Sequence, residues 1–166
     1  MTQLATHLAD HTKAVEEFLA TARALDAQQW TTPRAEGAWS PGQIVQHVSI
    51  VYEYSRDVVR GVPTGGSLPR FLRPLLRRFV VDSALKAGQA TRKGRAPGLL
   101  RPGPVPPPPT EGLARLEAAA LVFDAAIRES NGADVVHPFF GRMPAADYVR
   151  FQAIHTRHHR RQLTST

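Results

Sequence analysis

Histidine carries the chemistry of this chain, and two of its seven histidines stand where one helix face can join them. His155 and His159 are four residues apart, so on an α-helix their rings lie one turn above the other. Two imidazoles in that relation can share one metal ion, as helical H-x-x-x-H pairs do. His47 interrupts an otherwise apolar stripe far upstream, and packing of that stripe against the His155–His159 face would bring a third ring to the same point. Three neutral imidazoles leave coordination positions open, the arrangement of a catalytic rather than a structural metal. Spacing alone leaves other readings standing. An H-x-x-x-H pair arises readily by chance among seven histidines, and His155, Arg157, His158, His159, Arg160 and Arg161 can form a solvated basic face. His158 is the rival to His159, since i,i+3 neighbours also meet on a helix. His11, alone on an apolar face, reads as a hydrogen-bonded packing residue.

Other metal and nucleophile chemistries fall away. The chain has no cysteine, which removes thiolate zinc sites, iron–sulfur clusters, disulfide scaffolds and cysteine nucleophiles. The groups that helical spacing places near the three histidines are neutral. Gln43 lies one turn before His47, Tyr148 two turns before His155, Gln152 beside it and Gln162 one turn beyond His159; these could orient an imidazole or a substrate. Tyr148 and His137 are the candidate catalytic side chains, against the plainer readings of core packing for Tyr148 and a packed turn for His137-Pro138-Phe139-Phe140-Gly141. The plainer reading of Gln162 is that it ties a helix end, and Trp39 is expected to lie as an apolar lid over the start of its helix. Glu53 and Asp147 point away by helical angle, so the carboxylate base of a metalloprotease is missing. That favours metal-bound thiolate chemistry over simple hydrolysis.

The elements that must position these residues are helical. Leu4, Leu8, His11, Val15, Phe18, Ala22 and Leu25 alternate steps of four and three, before a loop from Thr31 to Gly37. Ser40, Pro41 and Gln43 form an S-P-x-Q start with a capping box, and Ile44, His47, Val48, Val51, Ser55 and Val58 mark one face of the helix that follows, up to Gly61 and Pro63. A third stripe, Leu113, Leu116, Ala120, Phe123 and Ile127, begins near Thr110 and stops at Asn131-Gly132. After Pro144, the last helix presents Tyr148, Phe151, His155, His159 and Gln162. No strand pattern is visible. The expectation is an all-α bundle of four main helices in one domain, residues 1–166, with 64–110 inserted as a long connection between the second and third. At this length a single domain buries roughly 70% of its unfolded surface.

That connection holds the charge. Of the formal +7, residues 70–101 contribute nine basic groups against Asp82, a net +8, leaving a body of −1. Leu68, Phe71, Leu72, Leu75, Leu76, Phe79 and Val80 have helical spacing there, with arginines interleaved. Seven prolines between Gly94 and Pro109 then favour an extended polyproline II path over packed structure. The basic segment reads first as a cover for the bundle or part of a dimer interface, with arginines snorkelling to water. An anionic membrane surface ranks second and nucleic-acid phosphates third; neither is an expected partner. No run of apolar residues is long enough to span a membrane, and no secretory leader is visible, so a cytoplasmic location is expected.

Trp39-Ser40-Pro41-Gly42-Gln43-Ile44-Val45-Gln46-His47, followed much later by His155-Thr156-Arg157-His158-His159-Arg160-Arg161-Gln162, resembles the DinB-like superfamily. Its members carry W-S-x-x-[EQ]-x-x-x-H on the second helix and H-x-x-x-H-x-x-Q on the last. The piece His137-Pro138-Phe139-Phe140-Gly141 is similar to one uncharacterised branch. The resemblance implies a four-helix bundle of up-down-down-up topology, often dimeric, binding a divalent metal through three histidines that match His47, His155 and His159. Zinc and nickel are the leading identities. It also implies a small-molecule substrate, with metal-dependent transfer to a low-molecular-weight thiol among the activities; hydrolysis and isomerisation also occur. The competing functional classes are a non-catalytic, metal-stabilised, stress-related binding protein and an electrostatic nucleic-acid binder acting through the basic segment.

Overall fold

The computed structural model describes residues 2–91 and 96–164; Arg92, Lys93 and Arg95 of the basic segment lie outside the described residues. The chain is mostly helical. Four long helices supply most of the core: α1 (Gln3–Arg23), α3 (Pro41–Val59), α6 (Pro109–Glu129) and α7 (Ala145–Thr164), with a short α2 (Ala27–Thr31) after the first. The principal pairings are α1 with α7 and α3 with α6. Each long helix buries the stripe its sequence marks, from Leu8, Val15 and Phe18 on α1 to Leu116, Phe123 and Ile127 on α6.

Local chemistry sets the helix ends. The Ser40 hydroxyl accepts from the backbone N–H of Gln43 at 3.3 Å, and the Gln43 side-chain oxygen accepts from the Ser40 N–H at 3.0 Å. This capping box, with Pro41 in the first turn, starts α3 where its sequence predicts. Asn131 and Gly132 end α6 in the left-handed region, at φ 51° and 77°.

The absence of a strand pattern in the sequence is corrected by a short antiparallel hairpin, β1 (Val135–His137) with β2 (Gly141–Met143). Val135 and His137 point inward and Val136 outward, with Met143 buried opposite Val135. Three residues per strand give too few alternations for a period of two to register.

The basic segment is helical over Arg73–Ala87, as α4 (Arg73–Arg77), a π-helical turn (Arg78–Asp82) and α5 (Ser83–Ala87). Its packed face is not the stripe read from the sequence. Val81 and Ala84 are buried, whereas Phe71 and Leu75 are 79% and 54% exposed. The proline-rich stretch also departs from expectation. It is non-helical from Arg101 to Pro108 except for one bend, but it lies against α3 rather than away from the protein. Gln43 Nε2 donates to the carbonyls of Gly103 and Pro104 at 2.9 and 3.2 Å, and Gln46 accepts from Gly103 N–H at 3.1 Å. Trp30 Nε1 donates to the Pro107 carbonyl at 2.9 Å. A proline-rich backbone has few N–H groups to offer but keeps every carbonyl, so side-chain donors are what can hold it.

A buried polar chain crosses this core. His11 Nδ1 lies 2.8 Å from the Asp124 carboxylate, His11 Nε2 2.8 Å from the Tyr52 hydroxyl, and that hydroxyl 2.5 Å from Thr156 Oγ1. The His11–Asp124 approach is close but lacks hydrogen-bond geometry, whereas the Tyr52 hydroxyl is hydrogen-bonded to both His11 Nε2 and Thr156 Oγ1. One link comes from each long helix.

Gly42 is where α3 and the indole of Trp30 touch. A Cβ there would stand 2.4 Å from Trp30 Nε1 and 2.7 Å from Pro106 Cβ. Gly42→Ala is therefore expected to lower the unfolding free energy by about 1–3 kcal/mol. Gly98→Ala, which meets nothing within 4 Å, should stay within about 0.5 kcal/mol of wild type. Urea denaturation followed by circular dichroism checks both, and equal effects would contradict the wedge.

Candidate metal centre

Three helix-borne imidazoles gather at one point. His47 enters from α3, His155 and His159 from α7, and one nitrogen from each lies within 4.8 Å of the others. Ring centroids are 4.5 Å apart for His155–His159, 4.7 Å for His47–His159 and 5.5 Å for His47–His155. His47 and His159 are buried; His155 keeps a partly accessible edge. Burial depresses all three pKa values, because a charged ring would lose its hydration. For His47 the hydrogen bond to Leu100 opposes that fall in part. Burial, with His47 and His158 nearby, carries His155 down to about 3. Burial and then the other imidazoles hold His159 well below its usual value. All three are neutral at physiological pH.

Hydrogen bonding fixes which nitrogen each ring presents. His47 Nδ1 is 2.6 Å from the Leu100 carbonyl and His159 Nδ1 is 2.7 Å from the Gln162 side-chain oxygen. Both partners accept, so Nδ1 carries the proton in both rings and Nε2 keeps its lone pair. His159 Nε2 faces His155 Nε2 at 3.1 Å. Two lone pairs cannot face each other so closely without a proton or a cation between them. If His155 lends its proton to Nε2, its Nδ1 is left buried without a partner. Tetrahedral coordination at ~2.0–2.1 Å places ligand nitrogens ~3.3 Å apart, close to the His155–His159 separation. The group contains no carboxylate, and an all-imidazole donor set suits zinc or nickel better than magnesium or calcium. The residues fit a divalent ion.

The other sequence candidates divide. Gln162 touches the group: its oxygen holds His159 and its Nε2 donates to His158 Nε2 at 3.1 Å. His158 thus stands beside the three-histidine group and outside it. Gln43 is spent on the capping box and on the carbonyls of Gly103 and Pro104. Gln152 donates to Ser55 Oγ at 3.0 Å, and no hydrogen bond links it to the three rings among the described residues. Tyr148 is buried in the core, its ring against Phe123 and His137. His137 is stacked on Phe140 at 4.5 Å, and its Nδ1 accepts from the backbone N–H groups of Phe139 and Phe140 at 3.1 and 3.3 Å. It forms a turn lock in an aromatic nest. Glu53 is held by a two-pronged contact with Arg115, both bonds 2.8 Å long.

Two contacts of the site went unread in the sequence. The Trp39 ring, expected as a lid over the helix start, lies 4.8 Å from that of His47. The Leu100 carbonyl, from the 3₁₀ turn Gly98–Leu100, orients His47. A backbone acceptor has no residue type, so no sequence signal could have found it.

The helices and their three clustered imidazoles define a mostly helical protein with a group that could hold a metal ion. The chain matches the DinB superfamily over residues 4–163, nearly its whole length, and it belongs to that superfamily. No curated protein and no solved structure matches it.

Burial also pushes the His137 pKa down to about 3, against roughly 6.5 unfolded. Below pH 6.5 the unfolded chain takes up a proton that the folded chain refuses. The stability this group contributes is therefore present above pH 6.5 and lost progressively as pH falls toward 3. Between pH 7 and 5, His137 should remove roughly 2 kcal/mol. His137→Asn keeps an acceptor for the Phe139 N–H but cannot titrate. Urea unfolding at pH 7 and pH 5 should show a smaller loss in the variant, and equal losses would refute the assignment.

Proposed function

We propose that the chain is a divalent-metal-dependent enzyme acting on a small molecule, with His47, His155 and His159 as the metal ligands and a low-molecular-weight thiol as co-substrate. The observation that carries this reading is the meeting of the three rings, one nitrogen of each within 4.8 Å of the others, with Nδ1 of His47 and of His159 already engaged by the Leu100 carbonyl and the Gln162 oxygen, so that Nε2 is the nitrogen left to bind. A bound ion would supply Lewis acidity, enough to ionise a thiol or water near neutral pH. The protein's own part is to hold the rings, exclude water and admit a substrate. The Trp39 ring borders that of His47, and His155 is the least buried of the three histidines. The three-histidine group contains no carboxylate to deprotonate a hydrolytic water, which favours a thiol nucleophile. Zinc or nickel is the metal of this reading.

In the same reading the four long helices form a single domain as an up-down-down-up bundle, residues 64–110 are its insertion, and the protein acts as a homodimer. The pairings of α1 with α7 and of α3 with α6 support the bundle. No helix among the described residues is long and apolar enough to cross a membrane, which accords with the cytoplasmic location that a reduced thiol would require.

Protein purified without a histidine tag should carry about one zinc or nickel ion per chain. His47→Ala and His155→Ala should each abolish that occupancy, and Gln162→Ala should weaken metal affinity roughly 10–100-fold by releasing His159. Elemental analysis and chelator competition measure both; occupancy unchanged in the two histidine variants would end the proposal. In cobalt-substituted protein, addition of a small thiol should shift the visible spectrum. A spectrum indifferent to thiol would assign the ion a structural role.

A further inference from the structure

Away from the three histidines, four arginines meet at a surface cleft of about 540 Å³. Arg70, Arg73 and Arg77 come from the basic segment and Arg142 from strand β2. Pro74, Val136 and Phe140 supply an apolar wall. The volume falls in the range of small-molecule sites.

The charges in this cleft are under-compensated. Arg77 pairs with Asp82 at 3.1 Å and donates to the Arg142 carbonyl at 2.5 Å, which ties the helical segment to the hairpin. Arg142 reaches Asp134 only at 3.7 Å, and both are substantially exposed. Arg73 donates to the Leu68 carbonyl at 2.8 Å, and among the described residues neither Arg73 nor Arg70 has a carboxylate partner. Four guanidinium groups against two carboxylates leave an excess of two positive charges at one opening. Like charges held this close repel, and arginine forks match phosphate oxygens in both charge and planar geometry. The wall of Phe140, Val136 and Pro74 would meet an apolar body rather than a bare ion.

We propose that this cleft binds a phosphate monoester carried on an apolar or aromatic body, at a site separate from the histidine centre. The same chemistry is offered by a soluble phosphate ester or by the headgroup of phosphatidic acid. Phe71 and Leu75, exposed in the same segment, would give a lipid source an anchoring point. The proposal is independent of the metal reading, and its readout is binding alone.

Phenyl phosphate titrated calorimetrically into the full chain should bind saturably at one site. The double variant Arg70→Gln/Arg142→Gln should weaken it at least tenfold. Arg128→Gln, an exposed arginine on α6 outside the cleft, should leave it unchanged, and metal content should be the same in all three proteins. Cosedimentation with phosphatidylcholine vesicles is the second arm. Recruitment that requires phosphatidic acid and the same two arginines assigns the lipid source; phenyl phosphate binding without recruitment assigns the soluble one. Failure to bind either probe, binding undiminished in the double variant, or equal weakening by Arg128→Gln would each overturn the proposal.

Discussion

Desolvated imidazoles cannot be charged, and that constraint shapes everything around the three-histidine group. Burial removes the proton from His47, His155 and His159 and leaves each ring with one donor and one acceptor to be placed. The protein meets the donors of His47 and His159 with a backbone carbonyl and a glutamine oxygen. The Nε2 atoms of His155 and His159 face each other, and among the described residues the one ring nitrogen of the group buried without a partner is His155 Nδ1. Unmatched buried acceptors are costly. Three neutral rings gathered with one nitrogen left unpartnered form a group that could hold a metal ion.

Such an arrangement demands that α3 and α7 keep a fixed rotation relative to each other, and a second set of buried polar groups bears on that. The Asp124–His11–Tyr52–Thr156 chain takes one link from each long helix. Each hydrogen bond adds only about 1 kcal/mol net, yet breaking either bond of the Tyr52 hydroxyl, to His11 or to Thr156, leaves a buried partner unsatisfied at about 1–3 kcal/mol. The network therefore penalises misregistered packings more than it stabilises the right one. Thr156 follows His155 directly on α7 and Tyr52 lies five residues after His47 on α3, so the register it enforces is the one that brings the imidazoles together.

How much of this could be read from the chain differs by element, for physical reasons. The long helices were legible because apolar stripes and caps such as Ser40–Gln43 are local and periodic. The histidine group was legible because i,i+4 spacing places His155 and His159 together and the apolar stripe of the second helix turns His47 inward, a set that the W-S-x-x-[EQ]-x-x-x-H and H-x-x-x-H-x-x-Q resemblance matched. The hairpin at Val135–His137 and Gly141–Met143 was not, being too short for alternation to show. In the basic segment the regular spacing of Phe71, Leu75 and Phe79 suggested a packed face, but Val81 and Ala84 are what the body covers; the π-helical turn at Arg78–Asp82 alters the helical phase between the two sets. Gln43 was read as a neighbour of His47, and its capping role was also clear. Its grip on Gly103 and Pro104 depends on where a distant proline-rich segment returns, which no local pattern encodes.

That return links the connection to the site. Gln43, Gln46 and His47 stand at i, i+3 and i+4 on one face of α3, and all three hold the same stretch of chain: Gln43 the carbonyls of Gly103 and Pro104, Gln46 the N–H of Gly103, and His47 the carbonyl of Leu100. Trp30 fastens the far end at Pro107, and α6 begins two residues later. Prolines stiffen this stretch before folding, so less backbone freedom is lost when it docks. The strap thus carries a rigid path from the ring nitrogen of a proposed metal ligand to the start of a core helix. The tautomer of His47 depends on that strap staying seated, because the acceptor that sets it belongs to the connection rather than to either histidine-bearing helix.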